Sequence, residues 1–185
     1  MSPERFAIVF VCTGNQCRSA MAEAFVRAAA AGAPVDVSSA GTLGIDGAPS
    51  PRHTVAAMAE LGVDLSAHRS RGVQGAGLER ADLVVGFELA HAAAAVVEGG
   101  AAPERVFGLV ELVELLDGVA EPAEREPVAR ARALVRAAHA RRRMVRRVGG
   151  EEVADPIGRT AQVHRDTAAR VGTLCDRLVG RLFDL

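Results

Sequence analysis

The sequence predicts an α/β protein: a doubly wound, mostly four-stranded parallel sheet flanked by helices. Three observations carry that reading. Strand-like and helix-like segments alternate along the chain, the pattern of parallel strands joined by crossover helices. The first apolar run, residues 6–11 (Phe-Ala-Ile-Val-Phe-Val), has no polar alternation, as suits a central strand buried on both faces. The 185 residues, 49% hydrophobic and 24% charged, fit one domain of ordinary size with a real core. The same figures exclude a collagen, a disordered tail and a disulfide-stapled miniprotein.

Taken in order, the first strand stops at Cys12-Thr13-Gly14-Asn15, a turn signal. A helix pattern begins at Ser19, with Met21, Ala22, Phe25, Val26 and Ala29 on one face, and Gly32 and Pro34 end it. Residues 35–38 read as a second strand, followed by a Gly/Pro-rich loop over 41–51. A helix over 51–61 has Gly62 just past its end. Residues 81–85 are a third strand, 88–97 a short helix and 105–107 a weak fourth strand. Residues 122–147 read as helical and strongly basic: positions 125–147 hold nine Arg against the single acid Glu126. Gly149-Gly150 close that segment. The last helix, 161–182, carries the stripe Val163, Thr167, Val171, Leu174, Leu178, Leu182, spaced by three or four so that one face meets a core. No repeat or linker divides the chain. Residues 1–185 therefore read as one domain with an extra Arg-rich helical segment at about 120–148.

Composition narrows the setting. The formal net charge is −1, and all 22 basic residues are Arg. There is no Trp or Tyr, and the six aromatic residues are all Phe. Three Cys, an odd number, suit a reducing compartment. No segment reaches the ~18 uninterrupted apolar residues of a membrane span. The N-terminal stretch is too short and too mixed for a signal peptide. The expected location is the cytoplasm.

Residues 12–19, Cys-Thr-Gly-Asn-Gln-Cys-Arg-Ser, carry the chemistry. Cys12 and Arg18 flank a tight loop between a buried strand and a helix. Such a loop can turn successive backbone N–H groups into one concavity, a nest for an anion. The helix N-terminus adds partial positive charge. Gly14 and Asn15 tolerate positive φ. Arg18 can offer a bidentate fork to two phosphate oxygens. The same field favours the thiolate form of Cys12, and Ser19 can donate a hydrogen bond to it. Read alone, Cys12 and Cys17 are as readily two small buried residues beside a turn. The preceding strand, the internal Gly-Asn and the Arg-Ser ending favour the anion site.

Residues 10–24, which include this loop, resemble the phosphate-binding loop of the low-molecular-weight protein tyrosine phosphatases. Ser38-Ser39-Ala40-Gly41-Thr42, residues 64–71 (Asp-Leu-Ser-Ala-His-Arg-Ser-Arg) and Asp155-Pro156 are similar to that family's later motifs, in the same order. The resemblance implies a cysteine-dependent phosphatase that works through a phosphocysteine, with no metal or other cofactor. By position, Cys12 is the implied nucleophile, Arg18 the group that binds the phosphoryl oxygens, and Asp155 the general acid and then base. Thr13, Gly14, Asn15, Gln16, Cys17 and Ser19 complete the phosphate loop. Asn15, Ser19, Ser39 and His68 are its implied hydrogen-bond supports, and Pro156 restricts the backbone of Asp155. Cys17 is either a packed thiol or the partner of Cys12 in a reversible disulfide. His53, His91, His139 and His164 show no metal-ligand spacing and read as ordinary histidines.

Three features depart from that family. Ile157 follows Asp155-Pro156, where phosphotyrosine enzymes usually carry an aromatic residue. Residues 43–46 (Leu-Gly-Ile-Asp) also lack a ring, so Ile45 and Ile157 are the expected pocket walls. Gln16 stands where phosphotyrosine enzymes often have an aliphatic residue and protein arginine phosphatases a Thr. The chain is also longer than usual, with the excess in the Arg-rich segment. A basic helix there could dock an acidic partner or be a solvated face; it lacks the aromatic interleaving of a nucleic-acid binder. The substrate is thus expected to be a phosphorylated protein or small molecule, with phosphotyrosine and phosphoarginine both open. An arsenate reductase or a non-catalytic phosphate-binding regulatory module would share the loop. The reductase needs a relay of further Cys, and only Cys175 lies outside the loop.

Overall fold

The unalternated apolar run near the start of the chain forms β1 (Phe6–Cys12), and its two faces divide the core. Phe6, Ile8, Phe10 and Cys12 pack to one side, Val9 and Val11 to the other, as the two-residue period of a strand requires. The computed structural model describes residues 4–144 and 152–185. In it β1 is joined by β2 (Val35–Gly41), β3 (Leu83–Gly86) and β4 (Val106–Gly108) in a parallel sheet ordered β2-β1-β3-β4. The helices are α1 (Arg18–Ala29), α2 (Arg52–Glu60), α3 (Leu89–Val97), α4 (Leu109–Asp117), α5 (Pro127–Arg142) and α6 (Ala161–Phe183). Residues of α1, α2, α4, α5 and α6 cover one face of the sheet, and α3 covers the other. The predicted stripe of α6 is the buried one from Thr167 through Val171, Leu174 and Leu178 to Leu182.

Strand register sets the position of the site. Cys12 pairs with Gly41, Val11 with Gly86, and Gly86 with Gly108. The carboxyl ends of all four strands thus share one edge, and β1 sits where the order turns from β2 to β3. In open α/β sheets, ligands bind outside that edge at such a reversal.

The sequence reading places no helix at 109–117, where the structure has α4. Its pattern is helical, with Leu109, Leu112, Val113 and Leu116 buried, and the Glu111 side chain accepts the Gly108 amide at 3.0 Å. The helix follows β4 with no intervening loop, so the apolar residues of both run together and hide the change of period. The basic segment also differs from its reading. Residues 122–126 are not helical, and α5 starts at Pro127, with Glu126 accepting the Ala129 amide as an N-cap does. Arg146, Arg147 and Gly149-Gly150 lie outside the described residues.

Helix α5 is packed rather than free. It buries Val128, Ala131, Leu134, Val135 and Ala138. Three of its arginines serve the fold. Arg130 donates to the carbonyls of Arg181 and Leu182 at 2.7 and 2.8 Å and pairs with Glu121 at 2.8 Å. Arg132 pairs with Asp82 at 2.7 Å and with Glu4. Arg142 lies 4.0 Å over the Phe107 ring, donates to the Val106 carbonyl at 2.7 Å and pairs with Glu111. Arg136, Arg141 and Arg143 remain on the exposed side. Among the described residues, no helix is long and apolar enough to cross a membrane.

Arg130→Met should therefore lower stability by about 1–3 kcal/mol, because it strands two carbonyls at the end of α6. Arg143→Ala should stay within about 0.5 kcal/mol. Urea unfolding of both variants checks this; equal midpoints would mean that Arg130 does not cap α6.

Candidate active site

The phosphate loop runs from the end of β1 to the first turn of α1, and its shape follows from where its carbonyls go. The Cys12 and Thr13 carbonyls accept the amides of Thr42 and Leu43, both at 3.0 Å. The Asn15 carbonyl is 2.6 Å from His68 Nε2. In a planar trans peptide, C=O and N–H point opposite ways. Carbonyls drawn outward by these partners turn the amides of Thr13, Gly14 and Gln16 inward, the arrangement of an anion nest. Gly41 makes the close approach possible: a Cβ there would lie 2.8 Å from the Asn15 nitrogen and 2.9 Å from the Thr13 oxygen.

Asn15 holds the loop. Its φ is 52°, in the left-handed region. Its Nδ2 donates to Ser19 Oγ at 2.9 Å and to Ser39 Oγ at 2.7 Å, and its Oδ1 accepts the Arg71 amide at 2.9 Å. Ser39 in turn donates to Glu23 at 2.5 Å. The structure thus joins Asn15, Ser19, Ser39 and His68 in one network and adds Arg71 and Glu23. Ser19 Oγ is also 2.9 Å from Cys12 Sγ.

Arg18 is 1% exposed. Its Nη2 donates to Asp155 at 2.7 Å and to Thr13 Oγ1 at 3.3 Å. Its Nη1 donates to Glu88 and, at 3.1 Å, to the Val153 carbonyl. Arg18 Nε is buried without a hydrogen-bond partner among the described residues. Asp155 also accepts the Ile157 amide at 3.1 Å through its other oxygen, a turn consistent with the fixed φ of Pro156.

Glu88 and His91 belong to this site, although the sequence reading singled out neither as functional and took His91 as ordinary. They come from the first turn of α3, which closes over the end of β3. A Cβ on Gly86 would lie 3.1 Å from His91 Cβ. The Glu88 amide donates to His91 Nδ1 at 3.1 Å, so the neutral ring carries its proton on Nε2 and donates to Thr13 Oγ1 at 2.9 Å. Burial, then the charge of Arg18, hold the His91 pKa below its ordinary value against the pull of Glu88, Asp155 and Glu152. Burial by itself would raise the Glu88 pKa, but the hydrogen bond and charge of Arg18, with His91 adding, outweigh it and keep the carboxyl ionised. The only sequence signal for the pair was its place just past a strand end.

The remaining expected residues fall around this centre. Cys12 and Cys17 are both free thiols, and Cys17 Sγ lies 3.2 Å from Thr54 Oγ1. Gln16 donates to the Pro49 carbonyl at 3.2 Å, which ties the phosphate loop to the 41–51 loop. Leu43, Ile45 and Ile157 are exposed, on the loop that follows Gly41 and on the turn that holds Asp155. All six Phe are buried.

Two outcomes follow. Gly41→Ala must push the phosphate loop away, so orthovanadate or inorganic phosphate should bind at least about tenfold more weakly by calorimetry, on the scale of a lost charge-assisted hydrogen bond. Unchanged affinity would contradict the close approach. Because the folded His91 pKa is depressed, the unfolded chain takes up a proton that the buried ring refuses. Stability therefore falls as pH drops below ~6.5, by up to ~1.4 kcal/mol per pH unit. Urea unfolding at pH 7.5 and 5.5 should show a flatter dependence for His91→Gln than for the wild type, and equal slopes would count against a neutral buried ring.

The sequence model of the family described as low molecular weight phosphotyrosine protein phosphatase matches residues 7–134, a span that ends within α5 and leaves Asp155 outside it. A probable low molecular weight protein-tyrosine-phosphatase of Ralstonia solanacearum is 44% identical over 78 residues, 42% of this chain and 52% of that protein. This chain thus spans about half the length of the Ralstonia relatives it matches. A protein-arginine-phosphatase of Geobacillus stearothermophilus is 27% identical over 177 residues, 96% of each chain. The solved structure of a low molecular weight protein tyrosine phosphatase from T. tengcongensis matches with a TM-score of 0.72 at 27% identity, covering 96% of this chain and 99% of that one.

Proposed function

The chain belongs to the low molecular weight phosphotyrosine protein phosphatase family, and on that premise we propose that residues 1–185 act as one cysteine-dependent phosphatase domain. The observation that carries this reading is the buried Arg18 guanidinium, which joins Asp155 to the Thr13 hydroxyl of the loop that begins at Cys12. Cys12 attacks phosphorus as the thiolate, steadied by the Ser19 hydroxyl. The incoming phosphoryl oxygens meet the loop amides and Arg18 Nε, which has no hydrogen-bond partner among the described residues, and they displace Asp155 from Nη2. Glu88 stays on Nη1 and keeps the guanidinium in place. The freed Asp155 carboxylate takes the proton of the bound phosphate monoanion and passes it to the leaving oxygen as the P–O bond breaks, leaving phosphocysteine. The resulting carboxylate then takes a proton from water, which attacks phosphorus. The S–P bond breaks, and inorganic phosphate and the Cys12 thiolate are released. No metal or other cofactor enters, and the setting is cytoplasmic.

The rim bears on substrate. With every Phe buried and Leu43, Ile45 and Ile157 exposed, a phosphotyrosine ring would meet aliphatic side chains, and the ~0.5–1.5 kcal/mol of ring stacking would be missing. A second reading, phosphoarginine in a protein, is favoured by the near full-length similarity to a protein-arginine-phosphatase. Arsenate reduction gains nothing from Cys175, which is buried in α6 with its thiol pKa pushed far up. With Arg130, Arg132 and Arg142 engaged within the chain, the exposed arginines of the basic segment among the described residues are Arg125, Arg136, Arg141 and Arg143, and these are the ones that could meet an acidic partner.

The enzyme should hydrolyse p-nitrophenyl phosphate in the presence of EDTA, and Cys12→Ser should abolish turnover. Asp155→Asn should slow phenyl phosphate, a poor leaving group, by about 10²-fold or more, and p-nitrophenyl phosphate far less. Retained turnover in Cys12→Ser would overturn the mechanism. Ile157→Tyr should raise kcat/KM for a phosphotyrosine peptide by up to about tenfold without raising it for phosphoarginine. No gain would mean that the rim does not contact the substrate.

A further inference from the structure

Thr13 and His91 stand beside Arg18, and the mechanism above gives their side chains no task. A guanidinium carries five N–H donors, and four of them have partners on the chain. Nη1 gives its two to Glu88 and the Val153 carbonyl. Nη2 gives one to Asp155 at 2.7 Å and one to Thr13 Oγ1 at 3.3 Å. The fifth, on Nε, has no partner among the described residues. His91 Nε2 lies 2.9 Å from Thr13 Oγ1, and the Glu88 amide donates to His91 Nδ1 at 3.1 Å. These contacts close a ring: the Glu88 carboxylate holds Nη1, and the Glu88 amide reaches Nη2 through His91 and Thr13.

The proton positions in the ring are fixed by its backbone end. The Glu88 amide can only donate, so His91 Nδ1 accepts and the neutral imidazole keeps its proton on Nε2. Thr13 Oγ1 therefore accepts twice, from His91 and from Arg18, on its two lone pairs. A hydroxyl whose lone pairs are both engaged has little freedom to turn. His91 is 2% exposed, so the packing of α3 against the sheet sets where its ring stands. Burial, then the charge of Arg18, hold its pKa below the ordinary value. The imidazole thus donates to Thr13 without setting a second cation beside the guanidinium.

We propose that Thr13 and His91 are positioning residues that hold Arg18 Nη2 in place while Asp155 gives way to the phosphoryl group, so that Nη2 and Nε meet two of its oxygens together. The proposal rests on the placement of the phosphoryl group on Arg18. In this role neither side chain touches the reacting atoms; both act through the guanidinium. Once Asp155 leaves, Thr13 is the partner that stays on Nη2 among the described residues, as Glu88 and the Val153 carbonyl stay on Nη1. Held at both ends, the guanidinium keeps its plane, and a planar fork meets two oxygens at once only when that plane is set.

The test uses the full chain and orthovanadate, with affinity read by calorimetry. Thr13→Val keeps the shape and removes the hydroxyl, and Thr13→Ser restores it. His91→Leu removes the donor, and His91→Gln keeps an N–H for Thr13. Thr13→Val and His91→Leu should each weaken orthovanadate binding by about tenfold, on the scale of a hydrogen bond to a charged group. Thr13→Ser and His91→Gln should each recover most of that loss. Arg18→Lys keeps the charge without the fork and should itself weaken binding. In that background Thr13→Val should add less than about twofold, because both changes remove the same interaction. Unchanged affinity in Thr13→Val and His91→Leu, or losses that Thr13→Ser and His91→Gln do not recover, would overturn the positioning role. A Thr13→Val loss that persists in full in the Arg18→Lys background would place the hydroxyl itself on the anion and overturn it too. If instead Arg18→Lys leaves affinity unchanged, the phosphoryl group does not sit on Arg18, and the proposal fails with that reading. If Thr13→Val does not fold, as thermal unfolding would show, His91→Leu against His91→Gln makes the same comparison in both backgrounds.

Discussion

The hydrogen bonds of Asn15, a residue held at φ 52°, tie together the phosphate loop, the start of α1, the end of β2 and the 68–71 segment. A non-glycine residue in that conformation costs about 1–2 kcal/mol. Its side chain makes three hydrogen bonds and its carbonyl a fourth, each worth about 0.5–1.5 kcal/mol net. The sum favours the strained backbone. It also explains why the loop's carbonyls face outward, which in turn leaves its amides facing the site. Ser19 shows the same economy: one hydroxyl contacts both Asn15 and the Cys12 thiol, so the loop's shape and the environment of Cys12 are coupled.

The buried guanidinium of Arg18 imposes the second constraint. A charge at 1% exposure is tolerated only when paired and hydrogen-bonded. Glu88 and Asp155 supply that pairing from elements far apart in sequence, and the neutral His91 adds no competing charge. The two carboxylates are not equivalent. Glu88 is fixed at the start of α3, whereas Asp155 sits on a turn between the end of the basic segment and α6. The partner on the turn is the one able to exchange with a phosphoryl group.

Much of this was legible in the chain. The run of residues 6–11, the Gly-Asn turn and the α6 stripe placed the central strand, the phosphate loop and the last helix. The Cys-x5-Arg-Ser loop, with Ser39, His68 and Asp155 in the family's order, pointed to the residues that the structure gathers at the site. Helix α4 escaped because β4 leads directly into it, so two apolar periods overlap without punctuation. The basic segment looked like a solvated helix because a charge count does not say which way a long side chain turns. Arg130 and Arg142 turn inward, to carbonyls, carboxylates and a Phe ring, while Arg136 turns out. Glu88 and His91 carried no motif at all.

By itself, the sequence determined the chemistry available to this protein: a thiol, a guanidinium and a carboxylate at spacings that resemble one family, on an alternating α/β frame. That information is local, because loop geometry, strand burial and helix periodicity depend on residues within a few positions of one another. Only the tertiary structure decided which distant groups complete the site. Strand register along one sheet edge brings Glu88 and His91 to Thr13 and Arg18. The packing of α2 and α6 beneath α1 brings Thr54 to Cys17 and His164 to Thr54. Contacts between residues 37 or more positions apart follow from how elements pack, and no spacing along the chain encodes them.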